Sequence, residues 1–334
     1  MDYKNKTALV TGGTGSFGSI FIQHLLKAGV SQVICLSRDE KKQSDLRADI
    51  TDSRLRFVIA DVRDPLATRA IFDRFDFDLV IHCAAMKQVP ACEQYPREAY
   101  LTNVVGSQNI KDACLATGVR KLILLSTDKA VHPVNTMGLT KALAEKTMIG
   151  DDVLSQDRLK VVVTRYGNVL SSRGSVIPLF VSLLRRREAL PITNISMTRF
   201  LMSLQESIEL VDKAIADGKN GEIFVKRQPA TDLVSLVESI GRLMGVSADW
   251  AVTGVRPGEK LHEQLISDEE MLHVDLFEDY FRIGTTRLLQ ESIEPTEDLV
   301  FLEQIRKSDT TTKLSGESLD QFLLERLGQQ YFRC

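Results

Sequence analysis

Between Ser126 and Lys141 the chain reads Ser-Thr-Asp-Lys-Ala-Val-His-Pro-Val-Asn-Thr-Met-Gly-Leu-Thr-Lys, directly after an apolar run at 121–125. Asp128 and Lys129 put a carboxyl beside an amine, a pairing suited to giving one proton and taking another. Adjacent side chains on a strand point to opposite faces, so the two converge only if the strand ends before them. Met137 and Lys141 stand four residues apart, which on a helix places both on one face, close enough to approach the same substrate atom. A thioether does no acid–base work, which leaves Lys141 as the proton carrier of that pair. Its reference pKa of about 10.4 would fall on exclusion from water.

Such a cluster needs a scaffold that delivers it to one end of a sheet. The chain has 334 residues and is 43% hydrophobic, enough for a substantial core in one large domain or two intimately joined ones. Short apolar runs at 7–10, 33–36, 55–59, 79–82, 121–125 and 160–164 alternate with helical stretches. Continuous rather than alternating hydrophobicity marks strands covered on both faces, and the alternation marks a parallel sheet. After Asn168 the rhythm breaks at Ser171–Ser175, at Arg185-Arg186-Arg187 and at Pro191, and a further strand is expected over 222–225. The reading is an α/β, Rossmann-like doubly wound parallel sheet with a smaller, interleaved C-terminal substrate-binding lobe. Residues 1–169 and 203–228 form the dinucleotide domain in this reading, and 170–202 and 229–334 the substrate lobe. Ligands of such sheets bind beyond the carboxyl ends of the strands, where Thr127, Asp128 and Lys129 would lie.

The first run leads into Thr11-Gly12-Gly13-Thr14-Gly15-Ser16-Phe17-Gly18 and then a helical pattern. Gly12 permits a tight turn, Gly15 lets the backbone approach a pyrophosphate, and Gly18 allows close helix packing. Thr14, Ser16 and Phe17 complete the loop at the helix start. The second run ends in Ser37-Arg38-Asp39-Glu40-Lys41-Lys42. An arginine at that tip, with Ser37 and Lys42 beside it, suits the 2′-phosphate of NADP better than the ribose of NAD.

A formal net charge of -3 gives no basic field for nucleic acid, and no apolar stretch reaches membrane-spanning length. With no signal-peptide pattern at the start, a cytoplasmic protein is expected. The five cysteines, Cys35, Cys83, Cys92, Cys114 and Cys334, show no CxxC spacing and read as reduced and structural, and no His or Cys spacing matches a metal ligand set.

Several longer blocks carry a resemblance. The glycine loop, Ser-Thr-Asp-Lys at 126–129 and Lys141 look like an extended short-chain dehydrogenase/reductase. Residues 37–43, Ala-Ala-Met-Lys-Gln-Val-Pro at 84–90, 137–141, Arg-Tyr-Gly-Asn-Val at 165–169, 173–180, 197–203 and Arg-Pro-Gly-Glu-Lys at 256–260 resemble the bacterial UDP-N-acetylglucosamine 4,6-dehydratases. Most of the wider family carries a tyrosine where Met137 stands, and the methionine points to a subgroup. The resemblance implies that NADP takes hydride from C4 of UDP-N-acetylglucosamine or a related UDP-sugar, that water leaves from C6, and that the hydride returns there. Lys129 would then be the base at C5 and Asp128 the acid for the departing hydroxyl, with Thr127 on the C4 oxygen beside Lys141. Asp61 and Val62 would border the adenine, and Ala84 and Ala85 the ribose and pyrophosphate. Lys87, Asn168, Ser175 and Val176 would meet the substrate, the Arg173–Phe180 stretch would hold sugar and nucleotide, and Arg199, Arg256 and Glu259 would take the diphosphate and uridine ribose. Family habit implies a homo-oligomer. The alternatives are a UDP-sugar 4-epimerase, which oxidises C4 without elimination, and a non-catalytic NADP-binding sensor.

Overall fold

A computed structural model of the chain describes residues 3–154, 158–172, 174–284 and 297–333. Its strands are β1 (Thr7–Thr11), β2 (Gln32–Ser37), β3 (Leu55–Ile59), β4 (Leu79–His82), β5 (Lys121–Leu125), β6 (Lys160–Arg165), β7 (Asn168–Val169), β8 (Leu190–Ile192), β9 (Thr198–Met202), β10 (Ile223–Lys226), β11 (Ala230–Asp232), β12 (Trp250–Val252), β13 (Val274–Leu276) and β14 (Tyr280–Ile283). The helices are α1 (Ser16–Lys27), α2 (Glu40–Asp49), α3 (Pro65–Arg74), α4 (Val89–Gln94), α5 (Pro96–Tyr100), α6 (Gly106–Thr117), α7 (Thr136–Met148), α8 (Asp151–Leu154), α9 (Val176–Arg185), α10 (Leu204–Asp217), α11 (Leu233–Met244), α12 (Glu297–Ile305) and α13 (Gly316–Leu327).

Nine strands form one sheet in the order β13-β14-β10-β6-β5-β4-β1-β2-β3. The seven from β10 to β3 run parallel, and all five residues of β5 and all four of β4 are buried. Both faces are covered, which is why these strands read as unbroken apolar runs. Phe21 and Leu25 of α1 and Val211 and Ile215 of α10 pack on one face. On the other lie Ile71 and Phe72 of α3, Ile110 of α6, and Ala144 and Met148 of α7. The strand order turns back between β1 and β4, and the crevice at their carboxyl ends is where the expected loops lie.

The second lobe gathers β7, β9 and β11 in one small sheet and β8 with β12 in another. Phe180 of α9, Leu236 and Ile240 of α11 and Leu323 of α13 close its own core. Two boundaries depart from the expectation: β7 at 168–169, expected in the dinucleotide domain, pairs instead with β9, and part of 229–334 leaves this lobe. β14 runs antiparallel to β10 and β13 antiparallel to β14, so residues 274–283 extend the main sheet. Phe281 and Ile283 are buried in the main core, and that apolar contact holds the excursion there.

Arg165, at the end of β6, ties these parts together. Its guanidinium meets Glu145 of α7 at 2.6 Å and Glu270 at 2.8 Å, with both Arg165 and Glu145 almost fully buried. Removing one partner strands a buried charge, so Arg165→Met lowers the unfolding free energy by about 3–5 kcal/mol in urea denaturation. Burial pushes the Glu270 carboxyl up, but Arg165 and the Ser267 amide outweigh it and hold it at about 2. Because that value lies below the ordinary one, this contribution is complete above about pH 4.5 and is lost as pH falls toward 2.

Candidate active site

β5 ends at Leu125, and a single 3₁₀ turn, Asp128–Ala130, follows. The turn removes the objection that neighbouring strand residues diverge. Lys129 Nζ comes back to 3.0 Å from Asp128 Oδ1, which also accepts from Thr127 Oγ1 at 2.8 Å. The Asp128 amide donates to the Tyr166 carbonyl at 3.1 Å, fixing the turn against the segment after β6. Asp128 is completely buried, and burial raises its carboxyl pKa against the opposing pull of Lys129.

Asn168, expected at the substrate, accepts from Lys129 at 3.1 Å. Glu263, which spacing did not single out, brings a carboxylate oxygen to 3.3 Å from the same amine while only 2% exposed. It reaches the site across more than a hundred residues of chain, and its sequence signal is slight: a glutamate two residues before the apolar Leu265-Ile266. Among the described residues, Asp128 Oδ2 and Glu263 Oε2 are buried without a hydrogen-bond partner.

α7 begins at the Asn135 cap, whose Oδ1 accepts from Gly138 N at 2.7 Å while Nδ2 donates to the Gly258 carbonyl at 2.6 Å. The 256–260 segment thereby docks on the helix start, and Lys260 donates to the Val131 carbonyl. Lys141 is buried and donates to the Leu125 carbonyl, so its amine sits at the end of β5 as expected. Burial pulls it down to about 8. Met137 does not join it at one point. Its side chain packs with Cys92 and Ala99 in a small apolar cluster of its own, so the helical spacing holds but the convergence on one atom does not.

The glycine loop has the expected form. Gly12 has a φ of +62°, and a Cβ there would lie 2.8 Å from the Ala84 backbone; a Cβ on Gly18 would lie 2.6 Å from the Gly12 carbonyl oxygen. Both positions require glycine. Beside Gly15 a Cβ would meet only the Gly12 oxygen at 3.1 Å, and α1 starts on Gly15 without a side-chain cap. An open glycine cradle before an uncapped helix start fits a dinucleotide pyrophosphate. Ala84 is half-buried and Ala85 exposed beside this loop.

Thr14 Oγ1 lies 2.9 Å from Ser37 Oγ, tying the loop to the tip of β2. Ser37 is 8% exposed and thus serves the loop; of the residues expected at a 2′-phosphate, Arg38 presents a half-exposed guanidinium, 3.4 Å from Asp61. Lys42 pairs with Asp39, the cap of α2, at 3.0 Å. Asp61 also holds Arg63 at 2.6 Å, and Val62 is buried with its carbonyl accepting from Asn109.

Substrate-side placements are mixed. Ser175 precedes α9 with a buried hydroxyl that lacks a partner among the described residues, and Val176 opens the helix. Lys87 and Arg256 are exposed, and Glu259 accepts from the Arg256 amide at 3.2 Å. Arg199 departs from the expectation of a diphosphate contact: it is 9% exposed, donates to the carbonyls of Thr198 and Leu261, and lies 3.9 Å from Glu263. Arg173 and Cys334 lie outside the described residues. The arginine cluster closes α9, where Arg185 donates to the carbonyls of Tyr331 and Arg333. Among the described residues no helix is long and apolar enough to cross a membrane.

Comparison with known proteins bears on this geometry. Residues 8–285 match the family described as polysaccharide biosynthesis protein. A UDP-glucose 4-epimerase of Rickettsia felis is 41% identical over 330 residues, 96% of each chain. One from Rickettsia prowazekii is 45% identical over 287 residues, covering 84% of this chain and 83% of the relative. Among solved structures, Pen from Bacillus thuringiensis superposes with a TM-score of 0.89 at 31% identity, over 98% of this chain and 99% of that one. A dTDP-glucose 4,6-dehydratase from Streptomyces venezuelae, solved with NAD and TYD bound, gives a TM-score of 0.69 at 23% identity over 76% and 86%, a likeness of fold.

Proposed function

The chain belongs to the polysaccharide biosynthesis protein family, and from that premise we propose that it oxidises UDP-N-acetylglucosamine or a related UDP-sugar at C4 and carries the reaction on to loss of water from C6. It is a nucleotide-sugar enzyme of the extended short-chain dehydrogenase/reductase type, with a Rossmann-like fold. The observation that carries the dehydratase step is the contact of the fully buried Asp128 carboxyl with Lys129 at 3.0 Å, at the end of the strand that also anchors Lys141. Removal of a proton from C5 and delivery of one to the C6 hydroxyl give such a pair a purpose that C4 oxidation alone does not.

A bound nicotinamide dinucleotide supplies hydride acceptance at C4 and hydride return at C6. Gly12, Gly15 and Gly18 would cradle its pyrophosphate, and Arg38 would meet the 2′ position of its adenosine ribose. Lys141 takes the C4 hydroxyl proton while Thr127 hydrogen-bonds that oxygen. Lys129, once neutral, takes the proton from C5, now acidified by the neighbouring ketone. Asp128 gives a proton to the hydroxyl leaving C6, and its raised pKa suits it to that task.

The second reading is a UDP-sugar 4-epimerase, and the names of the sequence relatives favour it more directly than they favour the dehydratase. Mass separates the two: a dehydratase turns UDP-N-acetylglucosamine into a product lighter by one water, whereas an epimerase conserves mass and inverts C4. A non-catalytic NADP-binding sensor would bind cofactor and leave the sugar unchanged.

NADP is the proposed cofactor, on Arg38; the solved S. venezuelae dehydratase was determined with NAD, which is the alternative. Arg38→Ala is expected to weaken NADP binding by about 10- to 100-fold and to leave NAD binding near the wild-type value, in fluorescence titrations of cofactor-stripped protein. Equal loss for both dinucleotides contradicts the assignment.

A further inference from the structure

Lys129 offers a test of what the second lobe contributes, because an ammonium has three donors and no acceptor. Three oxygens surround its nitrogen: Asp128 Oδ1 at 3.0 Å, Asn168 Oδ1 at 3.1 Å and Glu263 Oε1 at 3.3 Å. Asn168 belongs to β7 and Asp128 to the same turn, while Glu263 arrives on the segment that follows the 256–260 loop. A neutral amine in that position would aim its lone pair among three acceptors. The arrangement therefore fits the protonated form, whereas removal of a C5 proton needs the neutral one.

We propose that Glu263 is a positioning residue that holds Lys129 as an ammonium in the resting site, so that Lys129 becomes a base only after it has released that proton to solvent. This rests on the C5 role given to Lys129 above. The transfer balances with both roles given above: an Nζ–H bond breaks, water takes the proton, and the electron pair left on nitrogen later forms the new bond to the C5 proton, while Asp128, its carboxyl pKa raised by burial, takes up from water the proton that it gives to the C6 hydroxyl. The Lys129 side chain as a whole is 19% exposed, which leaves solvent access on its side of the pair.

Other charges face the pair. Arg199 of β9 lies 3.9 Å from Glu263, and Lys260 is on the same segment; both favour the ionised Glu263. Arg199 disfavours a charged Lys129, and His262, next to Glu263, is occupied with Thr198 at 2.9 Å. Burial also opposes the ammonium, yet Asp128 and Glu263 outweigh burial and Arg199 and leave the amine raised above its ordinary value. Lys141, without such carboxylate contacts at its nitrogen, is shifted the opposite way. The two lysines of the site are thus set to release protons in different pH ranges.

The experiment titrates Lys129 itself in full-length protein labelled with ¹³C at the lysine Cε, its signal identified by its loss in Lys129→Arg. Expected is a wild-type midpoint above the ordinary lysine value of about 10.4, lowered by about 1–3 pH units in Glu263→Gln and retained for the most part in Glu263→Asp, which keeps the charge. A wild-type midpoint at or below that of exposed lysines overturns the proposal without any variant, and so does an unmoved midpoint in Glu263→Gln. Neither readout needs turnover, so a failure here is distinct from the failure of the dehydratase reading, which shows as the absence of a dehydrated product. In an active enzyme the pH limb of water loss moves with the Lys129 midpoint while the limb of C4 hydride exchange stays in place. A merely structural Glu263 lowers the rate at every pH and moves neither.

Discussion

Lys141→Ala is expected to reduce C4 oxidation by about 10²- to 10⁴-fold, the range for loss of one well-placed proton acceptor. With Met137 turned into its own apolar cluster, Lys141 is the group at the end of β5 that can accept the C4 hydroxyl proton. Burial has already brought its pKa to about 8, so the wild-type rate of C4 hydride exchange rises with pH through that value and then levels. The limb disappears with the side chain. If cofactor affinity and function in cells both survive the change, the sensor alternative gains and catalysis by Lys141 is the wrong inference.

The same lysine makes a stability prediction whose sign is fixed by its direction. Its folded value, about 8, lies below the ordinary lysine value of about 10.4, so between those limits the unfolded chain holds a proton that the folded chain does not. Stability from this group therefore rises as pH goes up through that window. Urea unfolding of wild type and Lys141→Met across pH 7–10.5 reads it: the methionine variant lacks this part of the slope. An identical slope in both proteins shows that the amine is not desolvated.

Asp128→Asn carries the second large effect. The amide keeps the size of the side chain and its contact with Thr127 but has no proton to give a leaving hydroxyl. Water loss is expected to fall by about 10²- to 10⁴-fold while exchange of hydride at C4 persists, measured as transfer of deuterium from sugar labelled at C4 to the nicotinamide ring of the cofactor. The separation matters more than the size. Equal loss of both steps assigns Asp128 to binding or folding, as its complete burial would then suggest.

Much of the scaffold was legible because its signals are local. The runs over 79–82 and 121–125 coincide with β4 and β5, since strands buried on both faces must be apolar throughout, and the run over 55–59 coincides with β3, the partly exposed edge strand, where Arg56 interrupts it. The glycine loop was legible for a related reason: Gly12 and Gly18 sit where a Cβ would collide with backbone. The excursion of residues 274–283 into the main sheet was not, because two short strands with mixed burial carry little periodicity of their own. In the site, Asp128, Lys129 and Lys141 share one stretch of chain, but spacing alone spoke against the meeting of Asp128 and Lys129, which the 3₁₀ turn after β5 brings about. Glu263 and the engagement of Arg199 depend on contacts between distant segments, and Ser37 looked available to a ligand until its partner across the sheet, Thr14, was seen. Met137 shows the limit of a helical repeat: it gives the face, while Cys92 and Ala99 decide where the side chain goes.

In the dehydratase reading, C4 oxidation assisted by Lys141 is followed by elimination through Asp128 and Lys129. The most direct test of that reading is the fate of deuterium in UDP-N-acetylglucosamine labelled at C4, followed by mass spectrometry and NMR of the product. The prediction is a 4-keto sugar lighter by one water with the label at C6. Product of unchanged mass, with the label still on C4 and that centre inverted, contradicts the dehydratase and establishes the epimerase in its place.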